Sequence, residues 1–348
     1  MNTRSLLPLL ALSTLVGGVA TAQTAGSIEN LRGCTNPGPA DSLRGELVDP
    51  VVWVADENDF VAFEIESVPA GGGWALRADP AKPGWSGDGY FEWINQNQPT
   101  QPGFGLREYR VFIRNAATYQ IRIHNRHDNP QVNQGNDCWM RINGGEWFKA
   151  YSNDGSNVAV WNWDFKRAIR NNGVETSLNR GINTIEISAR STGFILDRCH
   201  IFRAGFPFAD LTLPISEQLR SRPVRGQTLT LEVGDPGNES GLPAGTTQAL
   251  LFANLVAAPN SPCGITLPGF GPTGGPGEFL LALSPEPFTL TPGAEIWGGP
   301  GNPARFSLPV PNDAAIVGFE MFVQGALADV SAPRAVLTDG AKLTFGSF

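Results

Sequence analysis

Alternation of hydrophobic and polar residues recurs along this chain. The segment from Thr118 to Asn125 is typical, because Tyr or Ile at every second position alternates with Gln, Arg and His. A period of two places these two sets on opposite faces of a β-strand, one packed against a core and one exposed to water. Gly, Pro, Asn and Asp separate such segments, and long amphipathic helical patterns are missing. The pattern predicts an all-β protein built from short strands.

The character of the sequence changes after residue 206, which predicts two β-sandwich domains. Residues 46–206 contain long alternating segments and form the first domain. Residues 207–225 are punctuated by Pro and predict a linker. Residues 226–348 alternate short apolar strands with clusters of Gly and Pro, and form the second domain. The polar residues 23–45 predict a lead-in coil rather than a strand.

The amino terminus has the features of a secretory signal peptide. Arg4 precedes an apolar stretch from Leu6 to Val19, and Ala20 to Ala22 form a small-residue cleavage pattern. We therefore predict that residues 1–22 are removed and that the protein is secreted or held at the cell surface. No later apolar run is long enough to span a bilayer, so membrane insertion is not expected.

The charge of the chain limits its partners. The 348 residues carry 33 acidic and 25 basic side chains, a formal net charge of -8, and no basic run occurs. Nucleic acid needs a basic footprint on the protein that binds it. The composition therefore predicts no nucleic-acid partner.

The four cysteines of an exported chain favour disulfides, and four cysteines allow three connectivities. Cys138 and Cys199 both fall on predicted strands of the first domain, so we predict that they pair. Cys34 and Cys263 are then left to pair with each other or to stay free.

Catalytic patterns are missing from the sequence. It has three histidines and no Gly-x-Ser-x-Gly motif, and nothing places two carboxylates across a cleft. His124 and His127 have His-x-x-His spacing, but they lie where a strand enters a loop, so polar strand-end residues are the preferred interpretation. We predict that the protein is not an enzyme.

Two short motifs carry a family resemblance. In Phe63 to Glu66 the two glutamates share one strand face, about 6–7 Å apart, and Gly193 to Asp197 forms an apolar strand ending on a carboxylate. These motifs resemble the opening and closing strands of galactose-binding-like, jelly-roll β-sandwiches, in particular the family 6 and family 35 carbohydrate-binding modules. With turn motifs such as Asn143 to Gly145, the resemblance extends over residues 46–206.

The resemblance implies a structural calcium ion. Members of these families hold calcium with the carboxylates of the two motifs, which here are Glu64, Glu66 and Asp197. Backbone carbonyls would complete a shell of six to eight oxygens. The alternative is that the glutamates face solvent on an edge strand and that Asp197 caps a turn.

A sugar site needs aromatic faces on which pyranose rings stack, with polar side chains to bind the hydroxyls. Trp85, Tyr90 and Trp93 flank the loop where the related modules carry ligand contacts. Trp161 and Trp163 belong to a predicted Trp-Asn-Trp strand, which places both indoles on one face. The alternative is that these side chains belong to the core. The family often has Asn in its closing strand where this chain has Ile195, which cannot bind a hydroxyl.

These observations predict an exported, non-catalytic protein that binds a polysaccharide or glycoconjugate through surface aromatics on a calcium-stabilised sandwich. The alternative is a structural or adhesive surface protein that uses the sandwich only as a scaffold. Exposed indoles would favour the first function, and complete burial the second. Residues 223–348 loosely resemble a small β-rich carboxy-terminal module of exported bacterial proteins, which implies fold and export but no activity.

Overall fold

The computed structural model describes residues 24–34, 38–131, 134–152, 158–168, 172–205, 214–290 and 293–348. Within these ranges there are many strands and no α-helix, which confirms the all-β class. Three 3-10 turns occur, at Ile65–Ser67, Pro272–Gly274 and Ala314–Ile316. In the same ranges no helix has the length and hydropathy to cross a membrane. The predicted signal peptide, residues 1–22, lies outside the described residues.

The strands are numbered in chain order. They are β1 Ser27–Leu31, β2 Leu43–Gly45, β3 Val52–Val54, β4 Phe60–Glu64, β5 Trp74–Arg77, β6 Tyr90–Trp93, β7 Arg107–Ile113, β8 Ala117–His127, β9 Asp137–Ile142, β10 Phe148–Ser152, β11 Phe165–Arg167, β12 Asn172–Leu178, β13 Gly181–Ala189, β14 Phe194–Arg203, β15 Thr228–Val233, β16 Thr247–Asn254, β17 Ile265–Leu267, β18 Gly277–Phe279, β19 Phe288–Thr289, β20 Glu295–Ile296, β21 Ala304–Pro309, β22 Glu320–Asp329 and β23 Arg334–Thr344.

The chain divides into two compact units. One is Leu47–Ser221, and the other joins the described residues up to Glu46 with Arg222–Phe348. Residues 214–221 of the predicted linker belong to the first of these units and residues 222–225 to the second. Ser216 Oγ accepts the N–H of Ala62 at 2.9 Å. Residues 206–213 lie outside the described ranges.

The prediction of a lead-in coil at residues 23–45 is wrong. β1 pairs antiparallel with β23, and β2 pairs antiparallel with β15. Of the five residues in β1 only Leu31 is buried. An edge strand of this kind is held by backbone hydrogen bonds, so its sequence carries little hydrophobic signal. The carboxy-terminal unit is therefore completed by strands from the amino-terminal segment.

The Leu47–Ser221 unit is one twelve-stranded sheet in the order β3-β7-β13-β9-β10-β11-β12-β8-β14-β6-β5, with β4 on β14. All pairs are antiparallel except β3 with β7. Strands from both halves of this sheet contribute to one buried core. In β8 the residues Tyr119, Ile121 and Ile123 face that core, as their alternation predicts. Around β8, the side of the sheet that faces away from this core carries the candidate site.

The closing strand β14 has a register shift between Leu196 and Cys199 where it pairs with β8. Both of these residues lie in the core although they are three positions apart. A bulge of one extra residue accounts for this change of parity. Asp197 and His200 are left outside the core cluster, and both are fully buried.

The other unit contains a six-stranded sheet, β1-β23-β22-β16-β19 with β20 on β16, and a three-stranded sheet, β2-β15-β21. A further pair joins β17 to β18. Apolar residues from both larger sheets enclose a separate core that includes Trp297 and Phe306.

The predicted disulfide between Cys138 and Cys199 is wrong. The structure joins Cys34 to Cys263, whose Cα atoms are 4.9 Å apart, and leaves Cys138 and Cys199 as buried thiols. Cys138 lies on β9 and Cys199 on β14, which are not neighbours in the sheet. Burial raises the pKa of both thiols. Cys34 reaches its partner because β1 carries the amino-terminal segment into the same unit as Cys263.

Candidate functional site

Four strands, β4, β6, β8 and β14, build the candidate site on the side of the sheet away from the core. β14 pairs with each of the other three. The period of two sends the side chains of Glu64, Tyr90 and His124 to this side while their neighbours enter the core. The site is therefore assembled from residues far apart in sequence.

Three carboxylates meet in this site and are called the carboxylate cluster. One oxygen from each of Glu64, Glu66 and Asp197 lies within 4.8 Å of the others. The local geometry differs from the expected strand, because β4 ends at Glu64 and Glu66 lies in the 3-10 turn that follows. Asp197 is fully buried, whereas both glutamates are partly exposed.

The electrostatics of the cluster disfavour three negative charges. Burial raises the pKa of Glu66 to about 8, and repulsion from Glu64 and Asp197 adds to this rise. Burial also raises the pKa of Asp197 to about 7, although the Ser86 N–H and Arg198 act in the opposite direction. The pKa of Glu64 is raised as well, mainly by burial. Opposite charge beside the cluster would stabilise its ionised form.

The donor set fits a hard cation such as calcium. Carboxylate oxygens are the ligands that calcium prefers. Oε1 of Glu66 accepts the N–H of Asp88 at 3.0 Å, while Oε2 is buried and has no hydrogen-bond partner among the described residues. A buried carboxylate oxygen without a partner is costly, and a bound ion would satisfy it.

Residues 84–89, here called the anchored loop, are held by all three carboxylates. Ser86 donates its N–H to Asp197 Oδ1 at 3.1 Å and its hydroxyl to Glu64 Oε2 at 2.9 Å. Asp88 donates its N–H to Glu66. Gly87 has a φ of +64°, and a Cβ at this position would collide with Glu66 Oε1. The position therefore favours glycine.

The aromatic surface consists of Trp85, Tyr90, Trp161 and Trp163. Ring centroids lie 6.4 Å apart for Trp85 and Tyr90, and 5.4 Å apart for Tyr90 and Trp161. His124 stacks on Trp161 at 5.0 Å and contacts Trp163 at 4.8 Å. The three indoles are partly exposed, whereas Tyr90 is 1% exposed and its ring packs against those of Trp85 and Trp161. The structure thus brings together four of the five predicted aromatics.

Trp93, the fifth predicted aromatic, is misassigned. It is 2% exposed, belongs to the core and packs edge-on against Trp74. Its indole N–H donates to the Gln96 carbonyl at 3.0 Å. A ring in this position offers no face to a ligand.

His124 joins the carboxylate cluster to the aromatic surface. Its Nδ1 lies 2.8 Å from Asp197 Oδ2, and its ring is buried. Burial lowers the pKa of His124 to about 4, although Glu64 raises it. The imidazole is therefore neutral at pH 7, and its Nδ1 shares a hydrogen bond with Asp197 Oδ2. The sequence pattern identifies His124 only as a polar residue near the end of a strand. The signal that could have found it is its position on the polar face of β8.

A cleft of about 430 Å³ lies beside Tyr90, and it is lined by Arg77, Ala78, Asp79, Lys82, Tyr90 and Glu92. Lys82 Nζ pairs with Asp128 at 2.8 Å, and the Lys82 carbonyl accepts the indole N–H of Trp161 at 3.1 Å. Sequence reasoning missed the charged residues of this cleft, because no motif marks them.

Ile195 is fully buried and lies opposite Glu92 of β6 in the sheet. Its hydrocarbon side chain cannot donate or accept a hydrogen bond. Glu92, its neighbour in the sheet, is one of the polar residues that line the cleft.

No protein-family model and no curated protein sequence matches this chain. Among solved structures, the chain is similar to a family 35 carbohydrate binding module from Clostridium thermocellum, with 21% identity over 40% of this chain and 97% of the module, at a TM-score of 0.30. A GH26-CBM35 β-(1,4)-mannanase from Podospora anserina is 16% identical over 44% of this chain and 29% of that chain, at a TM-score of 0.32. A ruminal GH26 endo-β-1,4-mannanase is 15% identical over 44% of this chain and 28% of that chain, at a TM-score of 0.30. This chain spans less than a third of the two mannanases. These similarities assign no ligand to this chain.

Proposed function

We propose that the Leu47–Ser221 unit binds carbohydrate, as part of a polysaccharide or glycoconjugate, and catalyses no reaction. The observation that carries this proposal is the arrangement of three partly exposed indoles, Trp85, Trp161 and Trp163, on one face beside a charged cleft. The C–H faces of a pyranose ring pack on indoles, and side chains such as Lys82 and Glu92 are suited to bind hydroxyls.

The carboxylate cluster is proposed to hold a calcium ion, with Glu64, Glu66 and Asp197 as ligands. The support for this is the buried, unpartnered Oε2 of Glu66 within the described residues and the raised pKa values of the three groups. The ion would supply positive charge and stabilise the folded unit. Export by the predicted signal peptide would place the protein at the cell surface or outside it, where calcium is plentiful.

A structural or adhesive role is the second candidate. The burial of Tyr90 and Trp93 favours it, because these two aromatics serve packing. A scaffold would use the same fold without any saturable affinity for sugar, so a binding experiment separates the two functions.

The experiment uses the purified full chain and insoluble cellulose, xylan, β-1,4-mannan and chitin, each with calcium and with chelator. We expect saturable retention on at least one polysaccharide, lost in Trp161→Ala and kept in Trp147→Ala. Trp147 is a matched control because it is also partly exposed but packs on Arg141, at 4.7 Å from the guanidinium, away from the site. A folded wild-type protein that no polysaccharide or glycan array retains would contradict the proposal and favour the scaffold.

A further inference from the structure

Two sets of contacts connect the carboxylate cluster with the aromatic surface. The first runs through the anchored loop, since Ser86 binds Asp197 and Glu64 while Asp88 binds Glu66. Trp85 precedes Ser86 directly, so its backbone is positioned by these hydrogen bonds. Gly84 lies against Trp161, because a Cβ on Gly84 would be 2.8 Å from Trp161 Cδ1.

The second set runs through His124. Its Nδ1 is 2.8 Å from Asp197, and its ring is nearly parallel to that of Trp161, with an interplanar angle of 17°. The same imidazole contacts Trp163. Rotation of the Asp197 carboxylate would therefore break its hydrogen bond to His124. That bond orients the imidazole ring on which Trp161 packs. Both sets converge on Trp161.

We propose that cation binding at the carboxylate cluster positions the aromatic surface, so that the cation and the carbohydrate each raise the affinity for the other. This inference rests on the proposed function, and it makes the ion a regulator of binding as well as a structural element. Three carboxylates within 4.8 Å repel one another, and a cation offsets that repulsion. The carboxylates then keep the orientations in which Ser86, Asp88 and His124 bind them. Ser86 and His124 are positioning residues in this scheme.

The first test uses calcium alone and does not depend on sugar. Each of the nine tryptophans gives one indole N–H signal in the NMR spectrum of the 15N-labelled full chain. We expect a calcium titration to shift the Trp161 and Trp85 signals and to leave the Trp147 signal in place. His124→Phe keeps a ring against Trp161 but loses the bond to Asp197, so we expect the Trp161 shift to fall by more than half while calorimetry still detects calcium binding.

Ser86→Ala is the second variant, and it lies in a partly exposed loop where a folding defect is not expected. It should reduce the calcium-induced shift of Trp85 more than that of Trp161. Calcium binding without any change at Trp161 in the wild type would overturn the coupling, and so would the absence of calcium binding.

The second test measures the reciprocal effect. Coupling between two sites is typically worth a factor of about 5 to 150 in affinity, so we expect calcium to strengthen retention on the polysaccharide that binds by about tenfold, and saturating polysaccharide to strengthen calcium binding by the same factor. In His124→Phe this factor should approach one. Retention that is identical with calcium and with chelator overturns the coupling and leaves the carbohydrate function intact. Calcium shifts at Trp161 without retention on any polysaccharide refute the carbohydrate function alone.

Discussion

Replacement of Glu66 by Gln tests whether the carboxylate cluster binds a cation. Gln keeps the shape of the side chain, and its amide oxygen can still accept the N–H of Asp88, but the cluster loses one of its three negative charges. We expect Glu66→Gln to lose the calcium-induced rise in melting temperature. In chelator we expect the variant to be at least as stable as the wild type, because it no longer buries an ionisable carboxyl group beside the two other carboxylates.

The size of the wild-type response follows from mass action. An ion present at 100 times its dissociation constant, and bound only by the folded state, stabilises that state by about 2.7 kcal/mol. Leu47–Ser221 is a unit of about 175 residues. For a unit of this size, 1 kcal/mol shifts the melting temperature by about 2–4 °C, so removal of calcium should lower it by roughly 5–10 °C.

The pH dependence in chelator has a defined sign. The pKa of Glu66 rises from 4.5 to about 8 on folding, so between these values the folded protein holds a proton that the unfolded chain releases. The contribution of this group to stability is complete below pH 4.5 and is lost as the pH rises toward 8. Glu66→Gln lacks this group, so its stability should fall less over the same range. Asp197, with a pKa raised to about 7, continues to contribute in the variant.

The assay is differential scanning calorimetry of the full chain with calcium and with chelator, at pH values from about 4.5 to 8.5, which span the shift of the Glu66 pKa. Glu175→Gln is the control, because Glu175 is an exposed residue of β12 that accepts a bond from Gln120 at 2.8 Å, outside the cluster. It should keep the full calcium response. A wild-type melting temperature that does not change with calcium, or a Glu66→Gln variant with an undiminished response, would refute the cation site.

Three further predictions concern Gly87, the disulfide and Trp93. Gly87→Ala should weaken calcium binding about tenfold in calorimetric titration, because the new Cβ would collide with Glu66 Oε1 and displace that ligand. Gly181 also has a positive φ, +105°, but a Cβ there meets nothing within 4 Å, so Gly181→Ala carries a backbone cost away from the cluster and should leave calcium affinity unchanged. Reduction of the disulfide between Cys34 and Cys263 should destabilise its unit by about 2–4 kcal/mol, while thiol reagents should reach the two buried cysteines only after unfolding. Trp93→Ala should destabilise the protein by about 3–5 kcal/mol in denaturant titration, and polysaccharide retention by the fraction that remains folded should be unchanged.

The fold class could be predicted from the sequence because its signal is local. In β8 the alternation of Tyr and Ile with polar residues determines both the strand and its buried face. The amino-terminal segment had no such signal, since four of the five residues of β1 are not buried and the strand is held by its pairing with β23. The same missing information explains why the disulfide was predicted wrongly, because Cys263 meets Cys34 only after β1 has paired with β23.

The candidate site shows the same division between local and long-range information. The Glu-x-Glu and Gly-Phe-x-x-Asp motifs could be recognised because each is complete within a few residues. The partners that organise them could not, since Ser86 and His124 lie 111 and 73 positions away from Asp197 and reach it through the register of β8, β14 and the anchored loop. These contacts depend on which strands become neighbours, which no single segment encodes.

Trp93 is a different kind of error, because the sequence contained the information that excludes it. Tyr90 and Trp93 are three positions apart on the four-residue strand β6, and a period of two places them on opposite faces. If Tyr90 supports the aromatic surface, then Trp93 must enter the core, as it does. The predicted Trp-Asn-Trp strand is not formed, since of its three residues only Asn162 makes an isolated bridge, to Asn125; Trp161 and Trp163 flank that bridge, and both contact the His124 ring. Parity along a strand therefore selects among candidate aromatics from the sequence alone, provided that one of them can be assigned to a face.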